Sequence, residues 1–217
     1  CGFICGLVAA LATAAQATTF DVRAFGAKGD GTTKDTAAIQ KAIDAAHASG
    51  GGTVDLGAGT YLAGTLYLKG NVEFRLGYGA VLQASADRGD YCGPDDFKPN
   101  YASPKTGDNT SGGHLLVAVG QAGVSITGPG RIDGNGRAFI LDEKGNRAGR
   151  KRDIAWRPAQ MVYLANCTDV RITDVEMSDS PYWTCFILNC RRVSVRGAYV
   201  HTSRSPHTFN GDGLDID

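Results

Sequence analysis

The sequence lacks the features that mark several specialised classes of protein. It has no net charge, because 22 Lys and Arg residues balance 22 Asp and Glu residues, which excludes a polybasic nucleic-acid binder and an acidic disordered chain. Only 7 of its 217 residues are Pro, which excludes a Pro-rich linker. Its six Cys residues include no C-x-x-C pair and no His partner at zinc spacing. We therefore expect no metal site, and no motif points to another cofactor.

One long apolar stretch without charge lies at the start of the chain, over Phe3–Ala17. It is rich in small residues and ends in Ala15-Gln16-Ala17, the pattern of a secretory signal cleaved after Ala17. A membrane anchor is the alternative, but the stretch is shorter than the ~20 apolar residues that a membrane span needs. We therefore predict a truncated signal peptide over 1–17 and the N-terminal part of a single domain over 18–217. The protein is expected to be secreted, to the periplasm or the extracellular space, and not to bind membranes.

Glycine, unlike proline, is abundant in the sequence. The chain has 30 Gly among 217 residues, about twice the usual share of ~7%. They lack the every-third spacing of collagen and stand among Val, Ile, Leu and Thr, which indicates short strands joined by tight turns. Alternating apolar residues predict such strands at Thr53–Leu56, Thr65–Leu68, Asn71–Phe74 and Val124–Ile126.

A repeat indicates how these strands are arranged. The segment Asn166–Ile172 recurs as Asn189–Val195, offset by 23 residues. This period is too short for a propeller blade and lacks the leucine pattern of leucine-rich repeats, but it fits one coil of a right-handed parallel β-helix. Equivalent residues of stacked coils lie ~4.8 Å apart with parallel side chains. Cys167 and Cys190 are therefore expected to form a ladder of small buried side chains rather than a disulfide. Asn166 above Asn189 is expected to form a second ladder, whose amides satisfy the backbone of the turns.

One amphipathic helix is predicted before the strands. Asp35 can cap it, Ser49–Gly52 ends it, and five residues share its apolar face: Ala38, Ile39, Ala42, Ile43 and Ala46. We expect this helix to cover the exposed end of the coil stack. At the C-terminal end of the sequence, Asp217 lies inside a segment in which apolar and polar residues alternate. The sequence therefore predicts an all-β fold, a right-handed parallel β-helix with an N-terminal capping helix that is incomplete at its C-terminus.

Four segments carry a family resemblance. The region Phe20–Gly64 has the pattern of a β-helix N-terminal part, and three later motifs are more specific: Gly128–Gly136 (GPGRIDGNG), Asp179–Thr184 (DSPYWT) and Asn210–Asp217 (NGDGLDID). Together they resemble glycoside hydrolase family 28, the polygalacturonases and related pectin hydrolases. The resemblance covers 19–217, apart from an unmatched insertion around 138–155.

The last motif resembles the family's first catalytic signature, N-T-D-G-I-D-I-D, with Gly211 in place of Thr. The resemblance implies that Asp212 is a catalytic base that activates water in an inverting reaction, while a second carboxyl group protonates the leaving oxygen. It also implies that this acid, a supporting His and a substrate clamp belong to family motifs that follow Asp217. We therefore expect Asn210 and Asp215 to support Asp212, and this chain alone to be inactive.

Candidate substrate-binding residues lie in three segments. The basic stretch Lys144–Arg157 offers Arg152 and Arg157, since guanidinium groups pair well with the carboxylates of a pectic polyanion. His207 lies close to Asp212 in sequence, and Trp183 could stack on a sugar. The alternatives are a solvated loop for the charges, a surface position for the His and a core position for the Trp.

The leading hypothesis is a secreted, cofactor-independent hydrolase of α-linked galacturonan in pectin. It would act as a monomer on a pectic polysaccharide, without nucleic-acid or membrane partners. Two hypotheses compete with it. One is a polysaccharide lyase on the same fold, and the other is a non-catalytic β-helix that binds polysaccharide, like an adhesin or a phage tailspike.

Overall fold

The chain winds into a parallel β-helix in the computed structural model, which describes residues 18–93, 113–139, 156–201 and 211–217. Three sheets run along the stack, and all the strand pairs in them are parallel, as coils that turn in one sense require. Each complete coil adds one strand to each sheet in turn. The fold class predicted from the 23-residue repeat is therefore confirmed.

The strands are short, and each is named here by its place along the chain. The first sheet contains β1 (Thr19–Asp21), β3 (Gly52–Leu56), β6 (Val72–Leu76), β9 (Ser125–Thr127), β12 (Thr168–Thr173) and β15 (Arg191–Arg196). The second contains β2 (Asp30–Lys34), β4 (Gly59–Ala63), β7 (Ala80–Ala84), β10 (Arg131–Asp133), β13 (Glu176–Ser178) and β16 (Tyr199–His201). The third contains β5 (Leu66–Tyr67), β8 (Leu116–Val119), β11 (Val162–Ala165), β14 (Cys185–Leu188) and β17 (Leu214–Ile216).

The core is a set of apolar ladders inside the coils. In the first sheet, one ladder places equivalent inward residues of successive coils in register: Val54, Phe74, Ile126, Ile172 and Val195. All of them except the last are almost fully buried. Burying one such side chain stabilises the fold by about 1.5–3 kcal/mol before the loss of conformational entropy is counted. Stacking of like residues therefore holds adjacent coils in one register.

The two copies of the repeat pair with each other in neighbouring strands, as expected. Val170 lies opposite Val193 and Ile172 opposite Val195 in neighbouring strands β12 and β15. Both predicted ladders are present. Cys167 and Cys190 are free thiols, and the Cys167 amide donates to the Cys190 sulfur at 3.4 Å.

The asparagine ladder differs from its prediction in one detail. The side-chain amide of Asn189 donates to the side-chain oxygen of Asn166 at 2.7 Å, so the two amides bond to each other across the coils. We expected them to satisfy the backbone of the turns. Both residues have a positive φ, 54° for Asn166 and 48° for Asn189, a conformation that Asn tolerates better than most residues.

The predicted helix, α1, spans Thr36–Ala48 and packs on β1 and β3 at the first end of the stack. Asp35 stands at its N-cap position but does not cap it with its side chain, which corrects the prediction. The Asp35 carboxylate instead accepts hydrogen bonds from the backbone N–H groups of Lys28 and Gly29, at 2.7 and 2.9 Å. Its φ and ψ, −94° and 0°, are helical, whereas a capping side chain normally needs an extended backbone.

The predicted signal segment, 1–17, lies outside the described residues. Within the described ranges, no helix has both the length and the apolar character needed to cross a membrane.

Candidate active site

The third sheet has apolar side chains on both faces. The inward residues of β11 and β14, Val162 and Cys185 among them, join the main core. The outward residues Tyr163 and Phe186 form a second apolar cluster with Val117. A sheet with one face in water alternates apolar and polar residues, whereas β11 and β14 are apolar throughout. The sequence contained this signal, since tetrads without a polar residue indicate burial on both faces, but sequence reasoning did not use it.

The outward cluster leads to Asp215. Strand register places Val117, Tyr163, Phe186 and Asp215 side by side on four successive coils. The rings of Tyr163 and Phe186 are 5.9 Å apart between centroids. Asp215 in β17 therefore points to the outer face of the sheet, where its neighbour in register is an aromatic ring.

Asp215 has an unusual environment for a carboxylate. Its side chain is half-buried, and one of its oxygens, Oδ2, has no solvent-accessible surface and accepts no hydrogen bond from the residues that the structure describes. Burial raises the pKa of Asp215, and the nearby charges of Asp212 and Asp217 raise it further. Asp215 therefore holds its proton to a higher pH than a solvated Asp.

Asp212 lies just before β17, beside the preceding coil. Its backbone carbonyl accepts a hydrogen bond from the Thr184 amide at 2.7 Å, and the Gly213 carbonyl accepts one from Cys185 at 3.1 Å. These bonds continue the register of β14 and β17, which places Asp212 next to Trp183. Asp212 is exposed, so its carboxylate meets solvent, as a base that activates water requires.

Trp183 also lies on this outer face and not inside the coil, which was the alternative weighed for it. Its ring stacks on that of Tyr182, with centroids 5.4 Å apart and planes 7° from parallel. It also packs at 5.7 Å against Phe186. Trp183 is partly exposed while Tyr182 is buried, so Trp183 presents an aromatic surface beside Asp212.

Arg157 was expected to bind substrate, but the structure places it inside the protein. It has no exposed surface. One of its guanidinium nitrogens, Nη1, donates to the Pro181 carbonyl at 2.6 Å, and its Cζ lies 4.6 Å from the centre of the Tyr182 ring. In this position Arg157 contacts the DSPYWT segment and does not face a polysaccharide in solvent.

The other predicted site residues, Asn210, His207 and Arg152, lie outside the described residues. His114, which sequence reasoning did not single out, packs on the outward cluster. It is buried, stacks on Tyr163 at 4.5 Å and has its Nδ1 2.8 Å from the Gln160 carbonyl. Burial lowers the pKa of His114 to about 4, so its ring is neutral near pH 7. No local sequence signal marked this residue.

Among the residues that the structure describes, no three His, Cys, Asp or Glu side chains come together as a metal site would need.

Comparison with protein families assigns the chain. Residues 99–217, more than half of its length, match the model of glycosyl hydrolases family 28. The chain belongs to glycosyl hydrolase family 28. The matched range contains the three more specific motifs of the resemblance, including the one around Asp212. Residues 19–74 of this family 28 chain match a second model, that of rhamnogalacturonase A/epimerase, pectate lyase-like.

Individual relatives resemble the chain over different lengths. The chain is 38% identical over 141 residues to an exo-poly-α-D-galacturonosidase of Dickeya chrysanthemi, an alignment that covers 62% of this chain and 23% of the relative. A shorter stretch of 61 residues is 57% identical to a mannuronan C5-epimerase, AlgE3, of Azotobacter vinelandii and covers 24% of this chain and 3% of that one.

Among solved structures, the family 28 exopolygalacturonase of Yersinia enterocolitica superimposes with a TM-score of 0.72 at 24% identity. The superposition covers 94% of this chain and 42% of that structure. At this identity the likeness shows the fold alone, and the fold is the same parallel β-helix. The chain therefore spans less than half the length of the solved relative and about a quarter of the Dickeya protein.

Proposed function

We propose that this chain is part of a pectin-degrading glycoside hydrolase that cleaves α-linked galacturonan with inversion at the sugar carbon. One observation carries the proposal. In the part of the chain that matches family 28, the exposed Asp212 lies just before β17. Its carbonyl accepts a hydrogen bond from the amide that follows Trp183, and its charge raises the pKa of the half-buried Asp215. A solvated carboxylate beside an aromatic surface can activate water against a bound sugar.

The reaction is a single displacement. Asp212 accepts a proton from water, the water oxygen bonds to the anomeric carbon, and the bond from that carbon to the glycosidic oxygen breaks on the opposite face. A carboxylic acid gives its proton to the leaving oxygen. The two carboxyl groups of an inverting glycosidase lie ~6.5–9.5 Å apart to admit the water. Since neighbouring coils project equivalent residues in parallel, an acid in the family's next motif would lie one coil beyond Asp212.

The test is the product formed from polygalacturonate by a chain that continues through the family's second carboxylate motif. We expect new reducing ends and, by NMR of the first product, an inverted anomeric configuration. The same digest shows whether monomers or longer oligomers are released, and so whether the action is exo or endo. Hydrolysis at enzymatic rates by residues 1–217 alone would contradict the assignment, because one carboxylate cannot both protonate and activate water.

A lyase is the second candidate, favoured by the match of residues 19–74 to a model that includes pectate lyase-like proteins. This matched segment, however, contains none of the residues around Asp212. The two reactions leave different products, since elimination makes an unsaturated sugar that absorbs ultraviolet light and hydrolysis does not. Ultraviolet absorbance that rises in step with the new chain ends would reject the hydrolase.

We also propose that the protein is secreted after removal of its first 17 residues. The apolar stretch up to Ala17 and a polymeric substrate that cannot enter the cell intact support this proposal. N-terminal sequencing of exported protein should give a start near Thr18. An exported protein that retains Leu7–Ala17 would contradict it.

A further inference from the structure

Arg157 begins a chain of contacts that ends at Asp212. Its Cζ lies 4.6 Å from the centre of the Tyr182 ring, which is within the range of a cation–π interaction. Tyr182 in turn stacks on Trp183, nearly parallel. The guanidinium, the phenol ring and the indole thus form three layers. We call them the Arg157–Tyr182–Trp183 stack.

Hydrogen bonds tie this stack to both neighbouring coils. The Arg157 guanidinium donates to the Pro181 carbonyl at 2.6 Å. The Trp183 carbonyl accepts from the Met161 amide at 2.9 Å and from the Ser180 hydroxyl at 3.1 Å. The next amide, that of Thr184, donates to the Asp212 carbonyl at 2.7 Å. The backbone that holds Asp212 is therefore bonded directly to the segment that Arg157 contacts.

We propose that Arg157 is a positioning residue for Asp212, acting through the Arg157–Tyr182–Trp183 stack and the Thr184 amide. This inference rests on the proposed function, in which Asp212 activates water. A buried Arg makes a suitable clamp, since its planar guanidinium can lie flat on a ring and donate at its edge at the same time. A catalytic group displaced by about 1 Å can lose about 100-fold in rate, so loosening the segment should affect catalysis more than substrate binding.

The test compares Arg157→Met and Arg157→Lys with wild type in a chain that includes the second carboxylate motif. Methionine keeps apolar volume but loses the charge and the donors, while lysine keeps a charge and a donor without the planar fork. Arg75→Met is the matched control, since Arg75 is an exposed arginine of the first sheet. Two quantities are measured: hydrogen exchange of a peptide spanning 182–187, which contains the Thr184 amide, and kcat and KM on polygalacturonate.

For Arg157→Met we expect exchange in that peptide to be at least about 10-fold faster than in wild type. We expect kcat to fall by about 10–100-fold and KM to stay within about twofold. Arg157→Lys should show smaller changes of the same kind, and it decides the question if the methionine variant does not fold. Arg75→Met should match wild type.

Unchanged exchange at 182–187 would overturn the inference, because Arg157 would then not hold the segment. Faster exchange with kcat within twofold of wild type would overturn it as well, since the stack would then be structural only. A wild type that hydrolyses nothing would contradict the proposed function instead. In that case the exchange data still decide whether Arg157 holds the segment bonded to Asp212.

Discussion

At the scale of single residues, Asp212 and Asp215 lie three positions apart and meet different surroundings. Asp212 is exposed, while Asp215 lies next to Phe186 in register and has one oxygen without accessible surface. Burial and the nearby charges of Asp212 and Asp217 raise the pKa of Asp215, so its titration differs from that of a solvated Asp. The two residues can therefore be tested separately, Asp212 by its effect on kcat and Asp215 by its effect on stability at different pH values.

Replacing Asp212 tests its proposed role as the base. Asp212→Asn in a chain with the second carboxylate motif should lower kcat by about 10²–10⁴-fold, the usual contribution of a positioned proton acceptor. The thermal midpoint should change little, since Asn keeps the size of Asp and the backbone bond to Thr184 remains. Asp44→Asn, on the exposed face of α1, is the control and should leave kcat unchanged. A structural Asp212 would give the opposite result, a lower midpoint with normal kcat.

Replacing Asp215 tests its raised pKa through stability. A carboxyl whose folded pKa lies above its unfolded value stabilises the fold below the unfolded pKa, and this stability is lost as the pH rises through the folded pKa. At about pH 3 the Asp215 side chain is neutral and resembles Asn, so Asp215→Asn should change the thermal midpoint little. At about pH 7 the variant no longer carries a partly desolvated charge beside Asp212 and Asp217, and its midpoint should be higher than that of wild type by about 2 °C.

Thermal scans of wild type and Asp215→Asn at both pH values supply this comparison. A variant that loses stability at neutral pH would show that ionised Asp215 stabilises the fold, contrary to its position.

At the scale of elements, the turns determine how one coil passes into the next. Gly128 connects β9 to β10 with φ 99° and packs against the backbone of Leu76 on the preceding coil. A β-carbon there would overlap the Leu76 carbonyl oxygen. Gly57, in the turn between β3 and β4, has open space around the position of an added β-carbon and is not in the left-handed region. The turn at Gly128 therefore requires a glycine, whereas the turn at Gly57 does not.

Alanine substitutions at these two glycines should therefore have different effects on the free energy of unfolding. Gly128→Ala should destabilise the fold by at least about 1–3 kcal/mol, the cost of holding a non-glycine residue in a strained backbone conformation, with the overlap on Leu76 in addition. Gly57→Ala should be neutral or slightly stabilising, because alanine restricts the unfolded chain. Urea denaturation of both variants measures the difference. Equal effects would mean that the turn at Gly128 relaxes away from Leu76.

At the scale of the whole molecule, the stack is held by apolar ladders and hydrogen bonds between coils, without disulfides among the described residues. Cys185 is fully buried, and burial raises the pKa of its thiol to about 12, which leaves it unreactive near pH 7. Cys167 is buried as well. Stability should therefore not depend on the redox state of the solution.

Thermal unfolding in the presence and absence of a reductant tests this expectation. The thermal midpoint with and without dithiothreitol should agree within about 1 °C, whereas loss of one native disulfide typically costs about 2–5 kcal/mol. Alkylation after denaturation without reductant should label Cys92, Cys167, Cys185 and Cys190. A midpoint that falls in reductant would show a disulfide that the coil geometry does not contain.

Most of the fold could be predicted from the sequence because β-helix coils repeat. The match between Asn166–Ile172 and Asn189–Val195 specified the coil length, and the family motifs named Asp212 and Asp215, since these patterns are local in the chain. The tertiary structure alone decided which side chains lie next to each other across coils. The pairing of Phe186 with Asp215, the burial of Arg157 against Pro181 and Tyr182, and the use of the Asp35 carboxylate by Lys28 and Gly29 all join residues of different segments. Such contacts depend on how coils stack and where each loop returns, and neither is encoded in a periodic pattern of single residues.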